Sequence, residues 1–208
     1  MNFLILVDVQ RGFLHGRPAE VMTEKLRQLV GEGLFDRIAA TRYVNDDCSN
    51  ISRLKNWRRL RTEAERAIPE DLLAHVDYVA EKYTYSGCTP GLWDYLVREN
   101  GEQPPEQVFL AGLDIGCCVL ATATDFFESG VRPYVLAAYC CGAGGPAYYD
   151  AAILCLHNLI GRRHVITEPV IRTRAQLERL TQWAKGGPPP ADRPPPAGGT
   201  PPAGSLIQ

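Results

Sequence analysis

Phe3-Leu4-Ile5-Leu6-Val7-Asp8 is an unbroken apolar run that ends on a carboxylate. A short run of this kind reads as a strand buried on both faces, the habit of parallel sheets, and not as the alternating pattern of a strand with one wet face. Outward from it, Pro18 to Leu34 carries Val21, Leu26, Leu29 and Val30 near helical spacing, and Arg37 to Tyr43 reads as a second strand. The alternation continues with a helix over Arg53 to Glu65, a strand over His75 to Glu81, a helix over Leu92 to Asn100 and a strand over Gln107 to Leu113. A helix over Cys118 to Glu128, a strand over Arg132 to Ala138, a helix over Ala147 to Ile160, a strand over Arg163 to Thr167 and a helix over Arg172 to Ala184 complete the body. Strands that alternate with helices predict an α/β fold. The expected form is a doubly wound, Rossmann-like sheet of six parallel strands in the order 3-2-1-4-5-6, with helices on both faces.

The 208 residues fit one full domain and a short appendage. Residues 186–208 hold eight of the sixteen prolines and five of the nineteen glycines, so the expected division is a globular body over 1–185 and a disordered Pro/Gly-rich tail over 186–208. With 22 basic against 24 acidic residues and a formal charge of -2, the chain lacks the positive field of a phosphate-backbone binder, and no nucleic-acid partner is expected. The opening apolar run is too short for a signal core or a membrane span, which predicts a cytoplasmic protein with no membrane partner. Seven cysteines cannot all pair, and none forms a CxxC, so each is read as a reduced packing residue or a nucleophile.

Open α/β sheets bind ligands beyond the carboxyl ends of their strands, where strand order reverses. Three polar residues stand there: Asp8 after the first strand, Lys82 after the third and Cys118 at the start of the helix after the fourth. The first and fourth strands are neighbours at the reversal, which brings Asp8 and Cys118 into one crevice. A cysteine in the first turn of a helix meets the positive end of the helix dipole, and a lysine beside it adds to the same effect, so a lowered thiol pKa is expected. Asp8 then takes the thiol proton and returns it to a leaving group, while Lys82 holds the carboxylate. Of the adjacent pair Cys117 and Cys118, helical geometry puts 118, 122 and 125 on one face and turns 117 about 100° away. Cys117, Cys140, Cys141 and Cys155 are read as packing.

The run Phe3 to Phe13, Lys82, and Gly112 to Asp125 together resemble the isochorismatase-like cysteine hydrolases, over about the first 167 residues. The resemblance implies the sheet order above and makes Asp8 the acid, Lys82 the lysine and Cys118 the nucleophile. It also implies an oxyanion hole made by the backbone N–H groups of Asp114 and Cys118, set by a cis peptide between Leu113 and Asp114. Gln10 and Phe13 match residues at the floor and wall of the family's pocket, and Tyr85 and Cys88 complete the expected lining. Asp114 and Ile115 stand where a small residue and a threonine are usual, and Cys88 where an aromatic is common. The Asp114 carboxylate either faces the pocket or caps the helix.

The family's nicotinamidases bind metal through an Asp-x-His pair and another histidine, and Tyr43 to Asn56 offers Asp46 and Asp47 without histidine. No metal and no cofactor are therefore expected. The chorismate-ether hydrolases of the family lack the cysteine, so Cys118 favours thiol attack on a carbonyl. The basic stretch Arg53 to Arg61 is read as a solvated helix face, His157 as an interior histidine and His15 as a residue near the pocket mouth. The expected function is hydrolysis of a small amide, imide or carbamoyl substrate by a homo-oligomeric enzyme. The alternative is a binding or scaffold protein that keeps the fold.

Overall fold

The computed structural model describes residues 1–182. Strand β1 (Phe3–Val7) leads to α1 (Gly16–Gly31), β2 (Arg37–Tyr43), α2 (Asn50–Lys55), α3 (Glu63–Arg66), α4 (Glu70–Leu73) and β3 (Tyr78–Lys82). The second half runs through α5 (Pro90–Glu99), β4 (Gln107–Gly112), a π-helical turn (Ile115–Val119), α6 (Leu120–Glu128), β5 (Arg132–Cys140), α7 (Gly145–Leu156), β6 (Val165–Ile166) and α8 (Arg174–Thr181). The sheet has six strands, all parallel, in the order β3-β2-β1-β4-β5-β6. The doubly wound order read from the sequence is the order found.

All five residues of β1 are buried, because alternate side chains feed two separate cores. Leu4 and Leu6 pack with Met22, Leu26 and Leu29 of α1, with Tyr134 and Leu136, and with Leu177 of α8. Phe3, Ile5 and Val7 pack on the other face with Leu92 and Leu96 of α5, Ala123 and Phe126 of α6, and Leu156 of α7. Helices on both faces thus follow from the double burial of the strands.

The departures are local and have local causes. The helix expected over 53–65 is two short ones, because Asn56 ends α2 in the left-handed region (φ 53°) and Leu60 is left-handed as well (φ 58°). Thr62 then restarts the chain through a capping box with Glu65. The third strand begins later than expected, since the amides of His75 and Val76 still close the turn after α4. The end of the last expected helix, the 185/186 boundary and the Pro/Gly-rich tail lie outside the described residues.

Candidate active site

Asp8 is the first residue past β1, held in the left-handed region (φ 49°), a conformation that Asp tolerates better than most residues. Its backbone N–H donates to Thr41 Oγ1 (3.1 Å), and the Thr41 hydroxyl donates in turn to Asp8 Oδ1 (2.7 Å). The second oxygen, Oδ2, lies 2.8 Å from Lys82 Nζ, and neither side chain is exposed to solvent. Lys82, the last residue of β3, also donates to Thr84 O (3.0 Å) and Tyr85 O (2.6 Å). The Tyr43 ring lies 5.4 Å from the same ammonium. A buried ion pair persists only where the remaining hydrogen-bonding capacity is met, and here three oxygens meet that of the ammonium.

Cys118 comes from the π-helical turn after β4, is 7% exposed, and faces both charged groups. Burial pushes its thiol well above the usual value, Asp8 pushes it further, and Lys82 opposes them. The lowered thiol pKa expected from the sequence is therefore not found, because desolvation and the carboxylate outweigh the lysine. Burial alone lowers the Lys82 pKa, yet Asp8 and then Cys118 carry it above the usual lysine value. The arrangement is a neutral thiol beside a buried carboxylate and ammonium. Such a set can ionise the sulfur when a proton acceptor and an electrophile are both in place.

The turn that carries Cys118 is fixed from several sides. Gly112 (φ 125°) abuts β1 so closely that a Cβ there would lie 2.2 Å from Val7 O. The Leu113–Asp114 peptide is cis. Asp114 Oδ1 accepts from Gly116 N and Oδ2 from Ala143 N, both at 2.8 Å, so this carboxylate caps the turn and ties it to the segment after β5. The amides of Cys117 and Val119 donate to Asp114 O, and that of Ile115 to Cys141 O. The Cys117 sulfur is 3.3 Å from the Tyr148 hydroxyl. Thr122, one turn on, donates to Cys118 O (2.6 Å) and accepts from Gly87 N (2.7 Å), which locks the segment after Lys82 against the turn that carries Cys118.

The expected pocket residues divide. Tyr85, through its carbonyl on Lys82, belongs to the cluster. Gln10 is buried and its amide is fully committed to backbone: Oε1 accepts from Tyr43 N (2.9 Å), and Nε2 donates to Tyr43 O (3.0 Å) and Arg66 O (3.1 Å). Phe13 is half-buried and stacks on Trp57 with centroids 5.8 Å apart. Cys88 packs against the second core, where burial pushes its thiol up to about 12. Thr41 and Gly87 were not singled out in the sequence. A Cβ on Gly87 would lie 2.7 Å from Thr41 Cγ2, so glycine is what lets the two segments meet.

Four of the five basic residues of the stretch, Arg53, Lys55, Arg58 and Arg59, are exposed as expected, and Arg61 is half-buried. Arg58 and Arg61 pair with Asp47, and Arg59 donates to Gly12 O (3.1 Å) and contacts His15. Asp46 accepts from Cys48 N (2.9 Å). Among the described residues no group of His, Cys, Asp or Glu is disposed to hold a metal ion, and no helix is long and apolar enough to cross a membrane.

A family model described as the isochorismatase domain matches residues 2–162. Among solved structures, the pyrazinamidase/nicotinamidase of Streptococcus mutans is 20% identical with a TM-score of 0.65, covering 80% of this chain and 100% of that one. An isochorismatase-like hydrolase from Alkaliphilus metalliredigens is 16% identical with a TM-score of 0.66, covering 88% of this chain and 98% of that one. The N-carbamoylsarcosine amidase of Thermoplasma acidophilum is 21% identical with a TM-score of 0.59, covering 79% and 94%. The search of curated proteins found no significant match. At these identities the structural likeness establishes the fold.

Proposed function

The chain belongs to the isochorismatase family, and on that footing we propose that it is a cysteine-dependent hydrolase of the C–N bond in a small amide, imide or carbamoyl compound. The observation that carries this reading is the Cys118 thiol facing the buried Asp8–Lys82 pair. Nicotinamidase and carbamoyl amidase among the fold neighbours support the choice of bond.

In the first half-reaction the sulfur bonds to the substrate carbonyl carbon as Asp8 accepts the thiol proton. The backbone N–H groups of Asp114 and Cys118 receive the oxyanion, and Lys82 keeps a positive charge beside the transferred proton. Collapse breaks the C–N bond, and Asp8 hands its proton to the leaving nitrogen. In the second half, water gives a proton to Asp8 and its oxygen to the thioester carbon. The C–S bond breaks, and the departing sulfur recovers the proton. The raised thiol pKa suits this concerted order, in which no thiolate stands free before substrate arrives.

The test is a panel of small amides and ureides read by turnover and by the intact mass of the trapped protein. Cys118→Ala is expected to lower turnover by about 10⁴-fold or more with the fold intact, and Cys117→Ala to keep most of it. Equal loss in both variants, or none in the first, overturns the assignment of the nucleophile.

A further inference from the structure

We propose that Lys55 and the Tyr85 hydroxyl form an anion anchor at the mouth of this site, and hence that the substrate carries a carboxylate or comparable anionic group besides its scissile amide. The inference rests on the hydrolase reading above and adds the class of substrate.

The last turn of α2 brings Lys55 to Tyr85: Nζ lies 3.3 Å from the phenol oxygen and 5.9 Å from the ring centroid. Tyr85 is thereby bound at both ends. Its carbonyl accepts from the active-site ammonium of Lys82, and its hydroxyl accepts from Lys55, so one residue spans the distance from the reacting centre to a second cation. The segment between is stiffened by Thr84 Oγ1 donating to Ser86 O (3.1 Å) and by Gly87 N donating to Thr122. The anchor is therefore placed by the same contacts that place Lys82.

The charges around it point to an anion. Arg58 and Arg61, farther along the same excursion, are taken up by Asp47, and Arg59 by Gly12 O. No ion pair among the described residues uses Lys55. The Tyr85 hydroxyl holds the Lys55 ammonium above the usual lysine range, and the Cys117 thiol acts on it in the same sense. The carboxylate nearest the nucleophile in sequence, Asp114, does not oppose an anion there, because both its oxygens are occupied by backbone N–H groups. Tyr85 is 38% exposed, so an anion reaches the pair without unfolding anything. A lysine ammonium and a phenol O–H together offer donors to a carboxylate, a better partner for the ammonium than the neutral phenol it now contacts.

The test uses the full chain carrying Cys117→Ala, so that only one thiol of the adjacent pair can react. N-iodoacetylglycine, its β-alanine and γ-aminobutyrate homologues and the methyl ester of each are compared as alkylating agents of Cys118, the site being read by peptide mass. The expected result is that at one spacer length the carboxylate reacts about three- to tenfold faster than its ester, an advantage that shrinks with added salt. Lys55→Met should bring the ratio to about one or below, Lys55→Arg should retain it and Tyr85→Phe should reduce it. A ratio that Lys55→Met leaves unchanged at every length overturns the anchor while the cysteine reading stands. Failure of Cys118 to react with any reagent, acid or ester, overturns the cysteine reading and the anchor with it.

Discussion

Lys82 has three N–H hydrogens, and three oxygens surround them: Asp8 Oδ2, Thr84 O and Tyr85 O. The balance around the thiol is set by this pair, so the two variants that break it should move Cys118 in opposite directions. Asp8→Asn removes the carboxylate that raises the thiol, which should shift the pH profile of iodoacetamide alkylation toward acid while hydrolysis falls by about 10³-fold or more. Lys82→Met removes the cation that lowers it, shifts the profile toward alkali, and leaves Asp8 buried without its partner at a cost of about 3–5 kcal/mol. Rates of alkylation against pH check both, with urea melts for the second; shifts in the same direction would end this account of the site. That Asp8, Lys82 and Cys118 come together was legible in the sequence because they stand at strand ends that the strand order brings to one edge of the sheet. Thr41 and Gly87 were not, since a threonine in a strand reads as an ordinary β-branched residue and a loop glycine gives no sign of what its missing Cβ would strike.

At the scale of elements, the turn between β4 and α6 joins the site to the fold, and Asp114 is its cap. Asp114→Ala frees Gly116 N and Ala143 N together, and should cost about 0.5–2 kcal/mol of stability. Because the carboxylate is turned to backbone, the alkylation profile of Cys118 should stay where it was, as thermal melts and iodoacetamide rates on the same variant will report. An acid shift of that profile would mean the carboxylate acts on the thiol after all. The order of strands and helices was readable from apolar runs and helical spacing, but this turn was not. Its helix starts before Cys118, in a π geometry that no residue type announces. The break between α2 and α3 was equally hidden, because Leu60 at positive φ looks in sequence like one more helical apolar residue.

For the whole molecule, the thiols make stability depend on pH from the alkaline side. Burial holds Cys140 at about 12 and Cys141 at about 11 against an ordinary 9.0, and Cys88 at about 12. Each binds its proton more tightly folded than unfolded, so the benefit is complete below about pH 9 and drains away as pH rises through 11 to 12. A tenfold difference in proton affinity is worth about 1.4 kcal/mol. The urea midpoint should fall steadily above pH 9, and Cys140→Ala should flatten that fall; a variant as alkali-sensitive as the parent would locate the cause elsewhere. The position of β1 has its own consequence for how the chain is made. It precedes both of its partners in the chain, and one of its two edges waits for Gln107–Gly112, so a growing chain holds Asp8 and Lys82 long before it holds either Cys118 or the neighbour that seals Phe3–Val7. Bare apolar edges recruit other strands. A fragment covering residues 1–104 should accordingly be recovered as aggregate, whereas a soluble, cooperatively melting monomer of that length would show that the first half shields its own edge during synthesis.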